Sequence, residues 1–358
     1  MMTLALAEAE HGRPSPNPRV GAVIVKNERV VATGFHERAG QAHAEVIAIQ
    51  RANADVKGAT LYVTLEPCNH HGRTGPCTDA ILQAGITRVV IGCCDPMPHV
   101  PGAIARLQAG GLQVEVGLLE SRAKHLIAAF VKHRQTGMPY VVLKAAVSLD
   151  GKIASRSGDA RWLTGNKARA QAHVLRSLAD AVLVGVSTVL QDDPLLTVRH
   201  IKGPQPTRIV LDSKLRTPPT AKLFHGFDAP AVWIVHAQDA PPAKKAALSS
   251  AGAQLFEVPQ DEHGLELKAV LELLASKEIM GILVEGGAAV YNSFLRAGMV
   301  DRLAIFVAPL LIGDASAPSL AAFREVSQLT QASRLSDLRV RRLGSDVLFE
   351  GNILESLS

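Results

Sequence analysis

The chain has 358 residues, and at about 150 residues per domain it is expected to form two domains. Hydrophobic residues make up 47% and charged residues 20%, which excludes a disordered or fibrous chain and gives enough material for two cores. The net charge of +5 is thinly spread and aromatic residues are only 4%, so there is neither a basic footprint nor a stacking platform for nucleic acid.

In chain order, a helix is expected over Thr3–His11, then strands over Val20–Lys26 and Arg29–Phe35 joined at Lys26-Asn27-Glu28. A helix over His43–Ala52, a strand over Ala59–Leu65, a helix around Thr78–Gln83 and a strand over Thr87–Gly92 follow, with further pieces at Ala103–Gln108 and Val114–Gly117. Leu119 to Gly137 reads as one basic amphipathic helix with Leu126, Ile127, Phe130 and Val131 as its apolar stripe. Gly137 and Pro139 stop it, which places a boundary between domains 1–137 and 138–358. Strands are then expected at Tyr140–Val147, Ala181–Val186, Thr207–Leu211, Ala231–Val235, Gly281–Val284 and Leu303–Ala308, with strand-like pieces near Leu338–Leu343 and Val347–Glu350. Strands alternating with helices imply an α/β fold.

Four cysteines (Cys68, Cys77, Cys93 and Cys94) are too few for a disulfide scaffold and suit a reducing compartment. No apolar run reaches the roughly 18 residues of a membrane helix. The start, Met1 to Gly12, carries Glu8 and Glu10 and lacks a basic leader, unlike a signal peptide. A cytoplasmic protein that meets neither membrane nor nucleic acid is expected.

The chemistry concentrates at His43-Ala44-Glu45 and at Pro67-Cys68, with eight residues between Cys68 and Cys77. One imidazole and two thiolates suit Zn²⁺ and leave its fourth tetrahedral position for water, whose pKa the ion brings towards neutrality. Glu45 is then placed to take the water's proton and hand it to a leaving amine, as a nucleobase deamination requires. His43 opens one expected helix and Cys77 leads into another, where a helix N-terminus favours thiolate. A closed structural zinc site is the other reading, with Cys93, Cys94, His70 or His71 as a fourth ligand.

These residues resemble the bifunctional deaminase/reductases of riboflavin biosynthesis. His43-Ala44-Glu45 with Pro67-Cys68 is similar to the cytidine-deaminase-like signature, and the run from Leu65 to Cys77 (LEPCNHHGRTGPC) to that of the bifunctional family. Pro16-Asn17-Pro18-Arg19-Val20-Gly21 and Asp95-Pro96-Met97-Pro98 match the deaminase half. Lys144 to Lys152 (KAAVSLDGK), Arg161-Trp162-Leu163-Thr164, Gly185 to Asp193 (GVSTVLQDD), Pro194 to Arg199 (PLLTVR) and Glu285-Gly286-Gly287 resemble the reductase half. Gly75 stands where the family has a proline, the Asp95–Leu107 stretch is about one residue short, and Ala160 replaces an expected serine.

The resemblance implies an N-terminal cytidine-deaminase-like three-layer domain followed by a dihydrofolate-reductase-like α/β domain. It implies zinc-dependent deamination of 2,5-diamino-6-(5-phosphoribosylamino)pyrimidin-4(3H)-one to 5-amino-6-(5-phosphoribosylamino)uracil, then NADPH reduction of the ribosyl unit to a ribityl chain. It places Ala146, Trp162, Thr188, Asp192 and Ser213 against NADPH, and Arg176, Leu196, Arg199 and Glu285 against the phosphorylated pyrimidine. A homo-oligomer is implied as well.

On its own residues the second half is less explicit. Val284 to Ala289 runs a strand into a helix through paired glycines, which lets backbone N–H groups approach a pyrophosphate; a plain tight turn is the other reading. The cofactor contact is expected over Gly287, Ala288, Ala289, Val290, Tyr291, Asn292 and Ser293, with Val290, Tyr291, Phe294 and Leu295 facing inward. Arginine pairs suit a phosphate monoester because guanidinium grips it bidentately. Lys144, Asp192 and Glu285 are candidates for the acid that protonates the opening ring oxygen. In the first half, Asn17 is placed to bond the base edge, and His70, His71, Arg73 and Thr74 to hold the ribose phosphate. Two rivals stand: a nucleoside or tRNA deaminase with an unrelated second domain, and a zinc-stabilised binding module.

Overall fold

The computed structural model describes residues 1–52, 56–70, 75–97, 102–225 and 231–354. The chain divides into two compact units, Met1–Gly137 and Met138–Ser358.

In the first unit α1 (Met2–Ala9) precedes the hairpin of β1 (Gly21–Lys26) and β2 (Arg29–Phe35). Asn27 and Glu28 both take positive φ, 51° and 62°, as a two-residue hairpin turn matched to strand twist requires. Then come α2 (Ala44–Arg51), β3 (Thr60–Leu65), α3 (Cys77–Gln83), β4 (Arg88–Cys93), α4 (Ala103–Ala109), β5 (Gln113–Val116), α5 (Glu120–Leu126) and α6 (Ala128–Thr136). The sheet order is β2-β1-β3-β4-β5, with β1 antiparallel to both neighbours and β3, β4 and β5 parallel.

β3 and β4 are apolar on both faces because helices cover both. On one side Leu61, Val63, Val89 and Ile91 pack with Ala44, Ala48, Ile81 and Leu107 from α2, α3 and α4. On the other, Val90 and Cys93 pack with Met2, Ala5, Leu6 and Ala123 from α1 and α5, and with Ile127. The result is three layers, each buried aliphatic side chain contributing about 1.5–3 kcal/mol. The single helix expected over Leu119 to Gly137 is two helices, broken at Ile127 (φ −100°, ψ 5°). Ile127 is buried under the sheet, and the bend at it lets Ala123 and Phe130 both face inward. Gly137 closes α6 in the left-handed region (φ 71°), its N–H bonded to His133 O.

The second unit runs β6 (Tyr140–Val147), α7 (Asn166–Leu178), β7 (Ala181–Gly185), α8 (Val186–Asp192), β8 (Thr207–Leu211), β9 (Val232–Ala237), α9 (Pro242–Ser250) and β10 (Ala253–Val258). The ribbon β11 (Gln260–Asp261) and β12 (Gly264–Leu265), α10 (Leu267–Ser276), β13 (Gly281–Val284), α11 (Ala288–Arg296), β14 (Arg302–Val307), β15 (Arg334–Leu343) and β16 (Asp346–Leu354) complete it. The sheet order is β10-β9-β8-β7-β13-β6-β14-β16-β15, parallel from β10 to β14 and antiparallel beyond. From β6 the chain steps outward through β7 to β10, then returns through β13 and crosses to β14 on the far side. The order therefore reverses around β7, β13 and β6, and the crevice at the carboxyl ends of such strands is where α/β sheets bind ligands.

Candidate active sites

In the first unit, β2 carries Gly34 directly beneath α2. A Cβ there would lie 2.4 Å from Ala44 O and 2.6 Å from Ala48 N, so glycine sets the height of the helix that bears His43 and Glu45. His43 is the N-cap of α2, Cys68 lies in the loop after β3, and Cys77 begins α3. His43 Nδ1 stands 3.2 Å from Cys77 Sγ and 3.4 Å from Cys68 Sγ, and all three donor atoms lie within 4.8 Å of one another. Tetrahedral zinc with bonds of about 2.0–2.3 Å needs donor separations of roughly 3.5 Å, so this donor set fits zinc and leaves one position open. The Cys77 N–H donates to Cys68 Sγ at 3.3 Å, a bond that favours thiolate. Pairing with Cys77, joined by His43, holds the Cys68 thiol well below the ordinary thiol range, while the same pairing and burial push Cys77 up.

Glu45 follows within the first turn of α2, 3% exposed, and its Oε2 has no hydrogen-bond partner among the described residues. Burial pushes its pKa up, against the pull of His43. Asn17 donates from Nδ2 to His36 Nε2 at 3.1 Å, and the His36 ring, 5.1 Å from that of His43, bonds Ala42 O through Nδ1 at 3.1 Å. His36 was not among the sequence candidates; it marks the wall between Asn17 and the ligand histidine. His70 is described, whereas His71, Arg73 and Thr74 lie outside the described residues.

In the second unit the candidates gather along the carboxyl edge of the parallel strands: Ala146 near the end of β6, Thr188 after β7, Ser213 after β8 and Glu285 after β13. Glu285 sits at the reversal of strand order. Its carboxylate takes Arg176 Nε at 2.6 Å and Nη2 at 3.0 Å, with Lys144 Nζ 3.5 Å away. Burial alone would raise the Glu285 pKa, but Arg176 and Lys144 outweigh it and bring it to about 2. The fork of Arg176 is thus closed on Glu285 rather than open for bidentate phosphate binding, and Nη1 donates to Thr197 O at 3.0 Å. Of the arginine pair expected to suit a phosphate monoester, Arg176 therefore has its fork engaged by Glu285. Arg199 is exposed, and among the described residues its N–H alone is engaged, donating to His173 Nδ1 at 3.1 Å.

Leu196 is buried in the core with φ 54°, so its side chain is no substrate contact and only its main chain can serve. Thr188 Oγ1 accepts the Gly287 N–H at 3.1 Å. At Gly286 a Cβ would lie 2.9 Å from Val290 Cβ, so glycine is needed for α11 to start here and present the N–H groups of Ala288, Ala289 and Val290. That turn fits the pyrophosphate of a dinucleotide. Tyr291 is buried with its hydroxyl donating to Lys144 O, Asn292 Oδ1 accepts the Ala322 N–H, and the Ser293 hydroxyl donates to Ala289 O. Trp162 is 72% exposed with Arg169 stacked 4.3 Å over its ring, while Arg161 bonds Asp192 O. Ser213 O accepts Ala237 N–H.

Comparison with known proteins identifies the family of both halves. Residues 1–93 match the cytidine and deoxycytidylate deaminase zinc-binding region, and residues 139–349 the RibD C-terminal domain. The chain is 41% identical to the riboflavin biosynthesis protein RibD of Aquifex aeolicus over 349 residues, covering 97% of this chain and 95% of that one. The chain belongs to the RibD family. The Escherichia coli RibD is 38% identical, over 97% of this chain and 96% of that one. The Thermotoga maritima crystal structure, described as a diaminohydroxyphosphoribosylaminopyrimidine deaminase/5-amino-6-(5-phosphoribosylamino)uracil reductase, superposes with a TM-score of 0.81 at 34% identity, covering 99% and 97%. Acinetobacter baumannii RibD gives 0.80 at 37%, covering 99% and 98%. A RibD chain carries a deaminase and a reductase of riboflavin biosynthesis, with zinc and NADPH as cofactors. The match of the second half to the RibD C-terminal domain sets aside an unrelated second domain. No described helix is long and apolar enough to cross a membrane.

Proposed function

We propose that residues 1–137 release ammonia from the phosphoribosylated diaminopyrimidine and that residues 138–358 reduce the product's ribosyl unit. His43, Cys68 and Cys77 are the zinc ligands in this reading. Bound zinc supplies a water acidic enough to attack near pH 7. Glu45 takes the proton of that water as the C–O bond forms and gives it to the nitrogen as the C–N bond breaks. The observation that carries the reading is the orphaned Oε2 of a buried glutamate two residues beyond a ligand histidine. Asn17, held by His36, bonds the edge of the base.

In the second unit Thr188, Gly287, Ala288, Ala289 and Val290 hold the pyrophosphate side of NADPH, with Ala146, Trp162, Asp192 and Ser213 along the rest of the cofactor. Arg199 and the main chain at Leu196 take the substrate phosphate, and the Arg176–Glu285 pair walls the site. Bound NADPH supplies the hydride for C1′. Lys144 donates the proton to the ring oxygen as the C1′–O bond opens. Glu285, ionised down to about pH 2, has no proton to give and instead orients Lys144 across 3.5 Å. The chain acts in the cytoplasm as a homo-oligomer, a state that light scattering reads directly. Incubation with the diaminopyrimidine substrate, following ammonia and NADPH absorbance separately, tests the whole sequence of steps. Ammonia without NADPH oxidation would sink the reductase half, and neither signal would sink both.

A further inference from the structure

A segment with no strand partner runs past one face of α7. His173 and Arg176 lie three residues apart on that helix, so both reach the same stretch of chain. Across Leu196–Arg199 the main chain pairs with side chains instead of a neighbouring strand. Arg176 donates to Thr197 O at 3.0 Å, and Gln205 both accepts the Val198 N–H and donates to Val198 O, each at 2.8 Å. His173 Nδ1 accepts the Arg199 N–H at 3.1 Å. Leu196, buried in the core, anchors the near end. At the far end the Arg199 guanidinium is exposed, with no hydrogen-bond or ion-pair partner among the described residues.

Such an arrangement fixes a backbone so that one cation projects from it. We propose that His173 and Gln205 are positioning residues that hold Arg199 for the substrate's phosphate in the reductase site, and so set the preference for phosphorylated over dephosphorylated substrate. The proposal rests on the reading of Arg199 as the phosphate arm. His173 is suited to the task because its ring stays neutral. Burial first, then the charges of Arg176, His200 and Arg199, bring its pKa down to about 4, which leaves the Nδ1 lone pair free to accept. The His200 ring packs edge-on at 4.5 Å and braces it. Ordering Arg199 in advance removes an entropic cost that binding would otherwise meet.

The test uses the full zinc-loaded chain, NADPH, and the pre-deaminated substrate with and without its phosphate. His173→Leu and Gln205→Leu are each expected to raise KM for the phosphorylated substrate about tenfold, the equivalent of about 1.4 kcal/mol. Turnover should stay within about twofold and KM for NADPH should not move. His173→Asn, whose amide oxygen lies where Nδ1 lies, should recover most of the loss. On dephosphorylated substrate all these proteins should show the same kcat/KM. In an Arg199→Ala background, His173→Leu should add nothing. Equal losses on both substrates, multiplicative losses with Arg199→Ala, or no recovery by His173→Asn would overturn the assignment. Should His173→Leu fail to fold, Gln205→Leu and His173→Asn decide it by the same comparison. An Arg199→Ala chain with unchanged KM overturns the phosphate arm and this assignment together, whereas a native chain that oxidises no NADPH overturns the reductase reading itself.

Discussion

Thr188 Oγ1 accepts the main-chain N–H of Gly287 at 3.1 Å, tying the first turn of α8 to the turn after β13. Both segments flank the point where strand order reverses, so this bond sets the mouth of the proposed cofactor cradle. Thr188→Val keeps the shape and removes the acceptor. Loss of a hydrogen bond worth about 1 kcal/mol should raise KM for NADPH about fivefold. KM for the pyrimidine should hold, and ammonia release should be untouched. Steady-state kinetics with each substrate varied in turn makes the comparison, and an equal rise in both KM values would contradict it.

The Arg176–Glu285 pair is buried, at 13% and 6% side-chain exposure, and removing Glu285 leaves Arg176 and Lys144 without the carboxylate they share. Glu285→Leu alone is expected to destabilise the second unit by about 3–5 kcal/mol. Arg176→Met with Glu285→Leu, which also removes the most buried stranded cation, should be less destabilised than Glu285→Leu alone. Urea unfolding of the second unit reads this directly, and additive losses would mean the pair does not interact as drawn.

The same carboxylate gives the pair a pH signature. Glu285 drops from an ordinary 4.5 to about 2 in the folded protein, so its contribution is fully present above about pH 4.5. It is lost as pH falls through about 2. Stability against urea should therefore decline between pH 4.5 and 2 more steeply in the native chain than in Glu285→Gln. Parallel declines would show that the group is not held ionised.

Several elements were legible because their residues report burial. Tyr140–Val147, Thr207–Leu211 and Gly281–Val284 are apolar runs, and they fold as strands over the expected residues. α7 drew no expectation, since its buried face is Ala168, Ala172, His173 and Ser177, too small and polar to form an apolar stripe. The break at Ile127 was hidden for the opposite reason: the stripe of Leu126, Ile127, Phe130 and Val131 continues through it unchanged. Zinc demands particular atoms, so His43, Cys68 and Cys77 stood out from their residue types. His36, His173 and Gln205 did not, because each one's partners include a main-chain group, which every residue has. Arg176 and Glu285 were named separately as substrate contacts, and only the fold shows that they face each other.

Gly34 offers a test of how α2 positions the metal ligands. Ala44 O and Ala48 N would crowd a new Cβ at 2.4 and 2.6 Å, and backbone atoms cannot rotate aside. Gly34→Ala should lift α2 from β2 and cost about 1–3 kcal/mol of stability in the first unit. His43 and Glu45 ride on that helix, so zinc content and ammonia release should fall together while NADPH oxidation of pre-deaminated substrate continues. Elemental analysis beside both assays checks this, and a native zinc content would contradict the coupling.

Glu45→Gln separates the proton shuttle from the metal. The side chain is buried and its Oε2 unpartnered, so an amide of the same size fits the space and leaves His43, Cys68 and Cys77 in place. Zinc content should therefore match the native chain. An amide cannot accept the water's proton, and losing a general acid–base group should slow ammonia release about 10²–10⁴-fold. Reduction of pre-deaminated substrate should proceed at the native rate, since no reductase candidate lies near Glu45 in the sequence or within its unit. A variant that keeps its zinc and still releases ammonia at the native rate would show that another group moves the proton. One that loses its zinc would show that Glu45 supports the ligands rather than the chemistry.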